Sequence, residues 1–147
     1  MSGQTQYCTF FLDGLFFGVP VQQVQEVIRY QELTRVPLAA PEVSGLINLR
    51  GQIVTAIDLR RRLSLPPRPE GKKPMNVVVR SEEGAVSLLV DEIGDVQEAD
   101  SSLFEPPPPT LHGPARSLIR GAYKLADRLL LVLETQHAVQ VPENVAS

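Results

Sequence analysis

Apolar positions in this chain come in short runs, five or six residues long, and turn residues break them at regular intervals. Residues 7–12 and 15–19 are aromatic and β-branched and flank Asp13-Gly14, a strong two-residue hairpin signal. Pro20 suits the start of a single helical turn over 21–25, and a strand over 26–30 follows. Strands over 46–49 and 52–57 flank Arg50-Gly51, and Asp58 is placed to cap a short helix over 59–63. Strands over 75–80 and 85–90 flank Ser81-Glu82-Glu83-Gly84, with a further strand over 93–97. Asp100 or Ser101 starts a helical turn over 99–103, and Pro106 to Pro109 force an extended, polyproline-like stretch. Strands over 117–125 and 128–133 meet at Ala126-Asp127, a short helix spans 134–139, and 140–147 form a loose tail.

Many short strands with regular turns predict a mainly β chain built as small barrels with short helices, not a parallel sheet. The proline-rich stretch 64–74 reads as a connector. It divides a single domain, 1–147, into a first barrel over 7–63 and a second over 75–139, with exchange of strands between them allowed. An internal echo supports two units of one plan. Ile47-Asn48-Leu49-Arg50-Gly51 precedes a strand and a short helix, and Leu118-Ile119-Arg120-Gly121 does the same near the C-terminus.

Composition narrows the function. Hydrophobic residues make up 43%, enough for a packed core and against wholesale disorder. The net charge of −3 argues against a general nucleic-acid binder, although a small β-barrel that binds nucleic acid stands as the alternative from another class. One cysteine, Cys8, excludes an internal disulfide, and no segment reads as a signal peptide or membrane span. The expectation is a soluble, cytoplasmic protein without direct membrane contact.

Candidate chemistry is sparse. The chain carries no phosphate-cradling glycine loop and no nucleophile elbow, and nothing in it argues for an enzyme or a cofactor. Asp91, Glu92 and Asp95 lack the ligand alternation of a calcium loop and read as turn chemistry. His112 and His137 are isolated and share no metal-ligand spacing with Cys8, itself a small core residue. Arg60, Arg61, Arg62, Arg68, Lys72 and Lys73 form the one basic cluster. No aromatic residues are interleaved for base stacking, so it reads as a solvated helix end and linker. The four prolines read as a stiff spacer.

The most informative stretch runs from Gly45 to Arg60, a strand, a tight Asn48-Leu49-Arg50-Gly51 bend, a strand and a helix start. Folding does not require an arginine at that bend. On residues alone two readings of Arg50 stay open: a polar contact to a partner, or an ion pair with a carboxylate such as Glu26 that stiffens the turn. With Phe10-Phe11-Leu12 through Val24-Gln25-Glu26-Val27, Thr34-Arg35-Val36-Pro37, and Val86 through Asp91 to Asp95-Val96, this stretch resembles the CheW family of chemotaxis adaptors over residues 7–139. The resemblance implies two five-stranded SH3-like barrels sharing a core. It also implies a non-enzymatic scaffold without cofactors, coupling the cytoplasmic tip of methyl-accepting chemoreceptors to the regulatory domain of a CheA-type histidine kinase within a receptor array. Val24, Glu26, Gly45, Asn48, Arg50, Ile93 and Val96 match the family's receptor face, and Met75 and Val77 are candidates for kinase binding. An adaptor of a non-flagellar chemosensory pathway, serving surface motility or second-messenger control, is the alternative within the family. The long proline run and the leucine-poor segment 136–139 depart from the family pattern.

Overall fold

Asp13 and Gly14 both take positive φ (51° and 78°), the conformation a two-residue hairpin loop needs, and join β1 (Gln4–Leu12) to β2 (Leu15–Pro20). The computed structural model describes residues 3–82, 84–111 and 113–140. Glu83, His112 and the tail beyond residue 140 lie outside the described residues. The chain continues through β3 (Val24–Ile28), β4 (Val43–Leu49), β5 (Gln52–Asp58), α1 (Leu59–Arg62), β6 (Met75–Ser81), β7 (Gly84–Val90) and β8 (Glu92–Asp100). It closes with α2 (Pro114–Leu118), β9 (Ile119–Lys124), β10 (Leu129–Leu133) and α3 (Thr135–Val139).

The strands form two five-stranded sheets, β8-β1-β2-β10-β9 and β3-β6-β7-β5-β4. Sheet membership does not follow the division of the chain at the proline connector. β3 to β7 build one central barrel, and β1 and β2 join β8, β9 and β10 in a terminal barrel made from both ends of the chain. In each barrel, reading across the sheet, two antiparallel pairings are followed by one parallel and one antiparallel. The barrels therefore share one plan, in which β3, β4, β5, β6 and β7 correspond to β8, β9, β10, β1 and β2.

That correspondence shifts the expected internal echo. In the central barrel the segment after β3 closes on β4 through a bridge between Thr34 and Leu46; in the terminal barrel the segment after β8 closes on β9 between Glu105 and Ala122. The residue before each bridged strand position is a glycine, Gly45 and Gly121. A Cβ at Gly45 would lie 2.5 Å from the Thr34 carbonyl oxygen, and one at Gly121 would overlap the Phe104 ring. Gly121 thus matches Gly45, not Gly51, because both admit the backbone that closes a barrel.

Three apolar clusters fill the molecule. Ile47, Leu49, Val54, Ala56, Val78 and Leu89 fill the central barrel, and Tyr7, Ala99, Tyr123, Leu130 and Val132 the terminal one. The largest cluster combines Phe10, Leu12, Phe17 and Val19 with Ile57, Val77, Val79, Leu88 and Val90, residues from both sheets. It is the shared core, and it is why the barrels form one unit.

Local boundaries differ from expectation in instructive ways. Val24 joins β3, so the helical turn is only Val21–Gln23. β8 runs to Asp100, whose carboxylate accepts from the Ser102 N–H and starts a tighter turn over Ser101–Leu103. Ser117 and Leu118 end α2, not a strand, because Gly113 and Pro114 start a helical turn just before them. Asp58 caps α1 as its sequence predicts, accepting from the Arg60 and Arg61 N–H groups at 3.1 and 3.4 Å.

Candidate functional site

The hairpin between β4 and β5 has a two-residue tip, Arg50-Gly51, with φ of 53° and 85°. Asn48 supports it by accepting the Gly51 N–H on Oδ1 at 2.8 Å. The tip has the same form as Asp13-Gly14 in the terminal barrel. Aspartate is among the residues that tolerate a left-handed backbone; arginine gains nothing there and bears the steric cost.

What the position does provide is reach. Arg50 Nη1 donates to Glu26 Oε2 at 2.6 Å, across the barrel mouth from the tip to strand β3. Arg50 remains 72% exposed while the Glu26 side chain is 18% exposed. The Arg50 hydrogen bond holds the Glu26 carboxyl below its ordinary value, and Glu26 in turn raises the guanidinium. Both open readings of Arg50 are thus compatible: the ion pair forms, and the guanidinium edges not used by Glu26 stay in solvent. Ile53, across the hairpin from Asn48, is also exposed, which the sequence reading missed. Its signal was an isoleucine on the outward phase of an alternating strand.

The other receptor-face candidates divide. Val24 and Ile93 are half-buried and both pack against the shared core, so both border the seam between barrels. Val96 is exposed on β8, opposite Cys8 of β1. Gly45 is buried and serves the barrel closure described above.

Val77 overturns an expectation. It is 1% exposed inside the shared core, on a strand flanked by β3 and β7, and cannot meet a kinase without opening the protein. Met75, at the start of the same strand, is half-buried and keeps some surface.

The basic cluster is not a uniformly solvated linker. Arg60 is 7% exposed and donates to Asp91 through Nε at 2.9 Å and Nη2 at 2.6 Å, and through Nη1 to the Pro66 carbonyl at 2.7 Å. Arg68 Nε donates to the same carboxylate at 3.0 Å, and the Asp13 N–H does so at 2.9 Å. Burial raises the Asp91 carboxyl, but these donors outweigh it and leave the group below its ordinary value. Arg62 donates to the carbonyls of His137 and Gln140, each at 2.8 Å, and so ties α1 to the end of α3. One carboxylate at the end of β7 therefore holds the β1–β2 hairpin, α1 and the proline connector together. Three of the six cations point into the protein, which removes support from the nucleic-acid reading. Among the described residues no group of three or more His, Cys, Asp or Glu side chains could hold a metal ion, and no helix is long and apolar enough to cross a membrane.

Comparison with known proteins agrees with the fold. The model of the CheW-like domain family matches residues 6–143. The chain is 31% identical to the chemotaxis protein CheW of Bacillus subtilis, over 85% of this chain and 80% of that one. It is 25% identical to the chemotaxis protein CheW of Klebsiella aerogenes, over 97% and 88%, and 28% identical to protein PilI of Pseudomonas aeruginosa, over 78% and 64%. The crystal structure of the scaffolding protein TtCheW from Thermoanaerobacter tengcongensis superposes with a TM-score of 0.84 at 26% identity, covering 96% of this chain and 94% of that one.

Proposed function

This chain belongs to the CheW family, whose members are scaffolds in chemotaxis and not enzymes, and we propose that it couples chemoreceptors to a CheA-type histidine kinase by binding both at once. The observation that carries this reading is the exposed guanidinium of Arg50, held by Glu26 on a backbone that does not favour arginine. A fixed, multi-donor cation suits the polar face of a receptor helix. Asn48 shapes the tip, Ile53 adds an apolar neighbour, and Val24, Ile93 and Val96 continue the surface toward the seam between barrels. Gly45 contributes by keeping β4 in place.

The kinase regulatory domain then docks on a separate surface, where Met75 is the remaining sequence-derived candidate. Joining the two partners raises their effective concentration toward each other. The protein works in the cytoplasm and reaches the membrane-bound array through the receptor alone.

Calorimetry with a receptor tip fragment tests the Arg50 surface. The account expects binding at about micromolar strength. Titration well above that range with no heat, while the kinase domain still binds, contradicts the receptor half of the proposal; the reverse pattern contradicts the kinase half.

A further inference from the structure

We propose that the cavity between the proline connector and the end of β7 is a binding site for a phosphate-type oxyanion, independent of the scaffold surfaces. Arg60, Arg68, Lys72, Lys73, Asp91 and Glu92 line this cavity of about 180 Å³. The argument begins with Asp91, whose two oxygens already accept from Arg60 Nε and Nη2, Arg68 Nε and the Asp13 N–H. That carboxylate has no capacity left for a further donor.

Arg68 Nη2 is consequently enclosed with no hydrogen-bond acceptor among the described residues, in a side chain only 12% exposed. A buried guanidinium edge without an acceptor is costly, and proteins rarely keep one. The charges do not balance either. Four cations line the cavity against two carboxylates, with the Asp13 carboxylate 3.9 Å from Arg60 as a third. Lys72 and Lys73 are exposed at its surface, and Lys73 Nζ lies 4.9 Å from the centre of the Tyr30 ring. The remaining positive charge, carried by the two exposed lysines, favours an anion, and a phosphoryl group carries about −1.5 to −2 at neutral pH. Its oxygens can accept from Arg68 Nη2 and from both ammonium groups, where a carboxylate offers less charge and fewer acceptors.

The connector explains why such a site exists at this place. Arg60 Nη1 already binds the Pro66 and Pro67 carbonyls, so the loop is held against β7 at one end. An oxyanion bridging Arg68 to Lys72 and Lys73 would hold its other end as well.

The test is a titration of the full chain, followed by amide NMR spectra, with sodium orthophosphate at ionic strength fixed by sodium chloride. Parallel arms use O-phosphoserine, as a phosphomonoester, and sodium acetate. The expected result is saturable shifts confined to residues 66–73 and 91–92 in the orthophosphate arm, the phosphoserine arm or both, which separates a free ion from a phosphorylated group as the source. Acetate should bind at least about tenfold more weakly. Lys72→Ala/Lys73→Ala, at two exposed positions, and Arg68→Gln should each weaken phosphate binding about tenfold or more. Shifts no larger than those of chloride overturn the proposal. So do acetate binding as tight as phosphate, or a double lysine variant that binds like the unaltered chain. If Arg68→Gln fails to fold, the double lysine variant decides the matter alone.

Discussion

Arg50 at the tip of the β4–β5 hairpin lies 2.6 Å from Glu26 on β3, so an exposed turn of the central barrel is fastened to its edge strand by one ion pair. An exposed pair of this kind contributes little to stability. Its value is geometric, because it fixes the direction of a long, flexible side chain before any partner arrives.

Arg50→Asn separates those roles. Asparagine tolerates the left-handed backbone at this position better than arginine does, so the variant should melt no lower than the unaltered chain. Receptor binding should weaken about tenfold or more through loss of charge-assisted hydrogen bonds. Kinase binding should not change. A melting curve and two titrations on the same variant check this, and a large drop in melting temperature would make Arg50 a structural residue.

Gly45→Ala should act in the opposite way. The new Cβ meets the Thr34 carbonyl oxygen at 2.5 Å on a backbone with φ of 154°, so the barrel closure must shift. The expected loss is about 2–3 kcal/mol of stability. Denaturant unfolding measures it directly. A variant as stable as the parent but unable to bind receptor would show that Gly45 acts at the surface after all.

Asp91→Asn tests the junction of hairpin, α1 and connector. Removing this carboxylate leaves buried Arg60 with the more distant Asp13, at 3.9 Å, in place of its main counter-charge, at an expected cost of about 2–4 kcal/mol, moderated by the partial exposure of the site. That corresponds to a melting temperature lower by roughly 5–15 °C. The Asp91 carboxyl lies below its ordinary value in the folded chain. Its contribution is therefore complete above the unfolded value, about pH 4, and fades as the pH falls through the folded one. The gap between the parent and Asp91→Asn should narrow below about pH 4. A constant gap from neutral pH to acid would mean that the charge of Asp91 contributes nothing.

Local features of this fold were legible in the sequence where short-range chemistry decides them. Asp13-Gly14 and Arg50-Gly51 gave their hairpins, and Asp58 gave the start of α1. Partnering over long distances was not legible. β1 pairs with β8, Arg60 with Asp91, and Arg62 with the end of α3, and no local pattern specifies which remote strand or carboxylate is met. Val77 is different, because its signal was present. Val77, Val78 and Val79 are consecutive and all buried, the mark of a strand covered on both faces, here by a barrel interior and the shared core. That continuous apolar run argues against the docking role expected of Val77. At the candidate site, Glu26 and Arg50 were legible as a charge pair, whereas the barrel-closing role of Gly45 depended on where Thr34 returns.

The central claim is that one chain holds receptor and kinase simultaneously on separate surfaces. Sequential calorimetry tests it most directly: the chain is first saturated with the kinase regulatory domain, then titrated with the receptor tip fragment. The account predicts that the receptor fragment binds the preformed complex with an affinity no weaker than it shows for the free chain, and that Arg50→Ala weakens only this second step, by about tenfold or more. Receptor binding that disappears once the kinase domain is bound would place both partners on one surface and contradict the account.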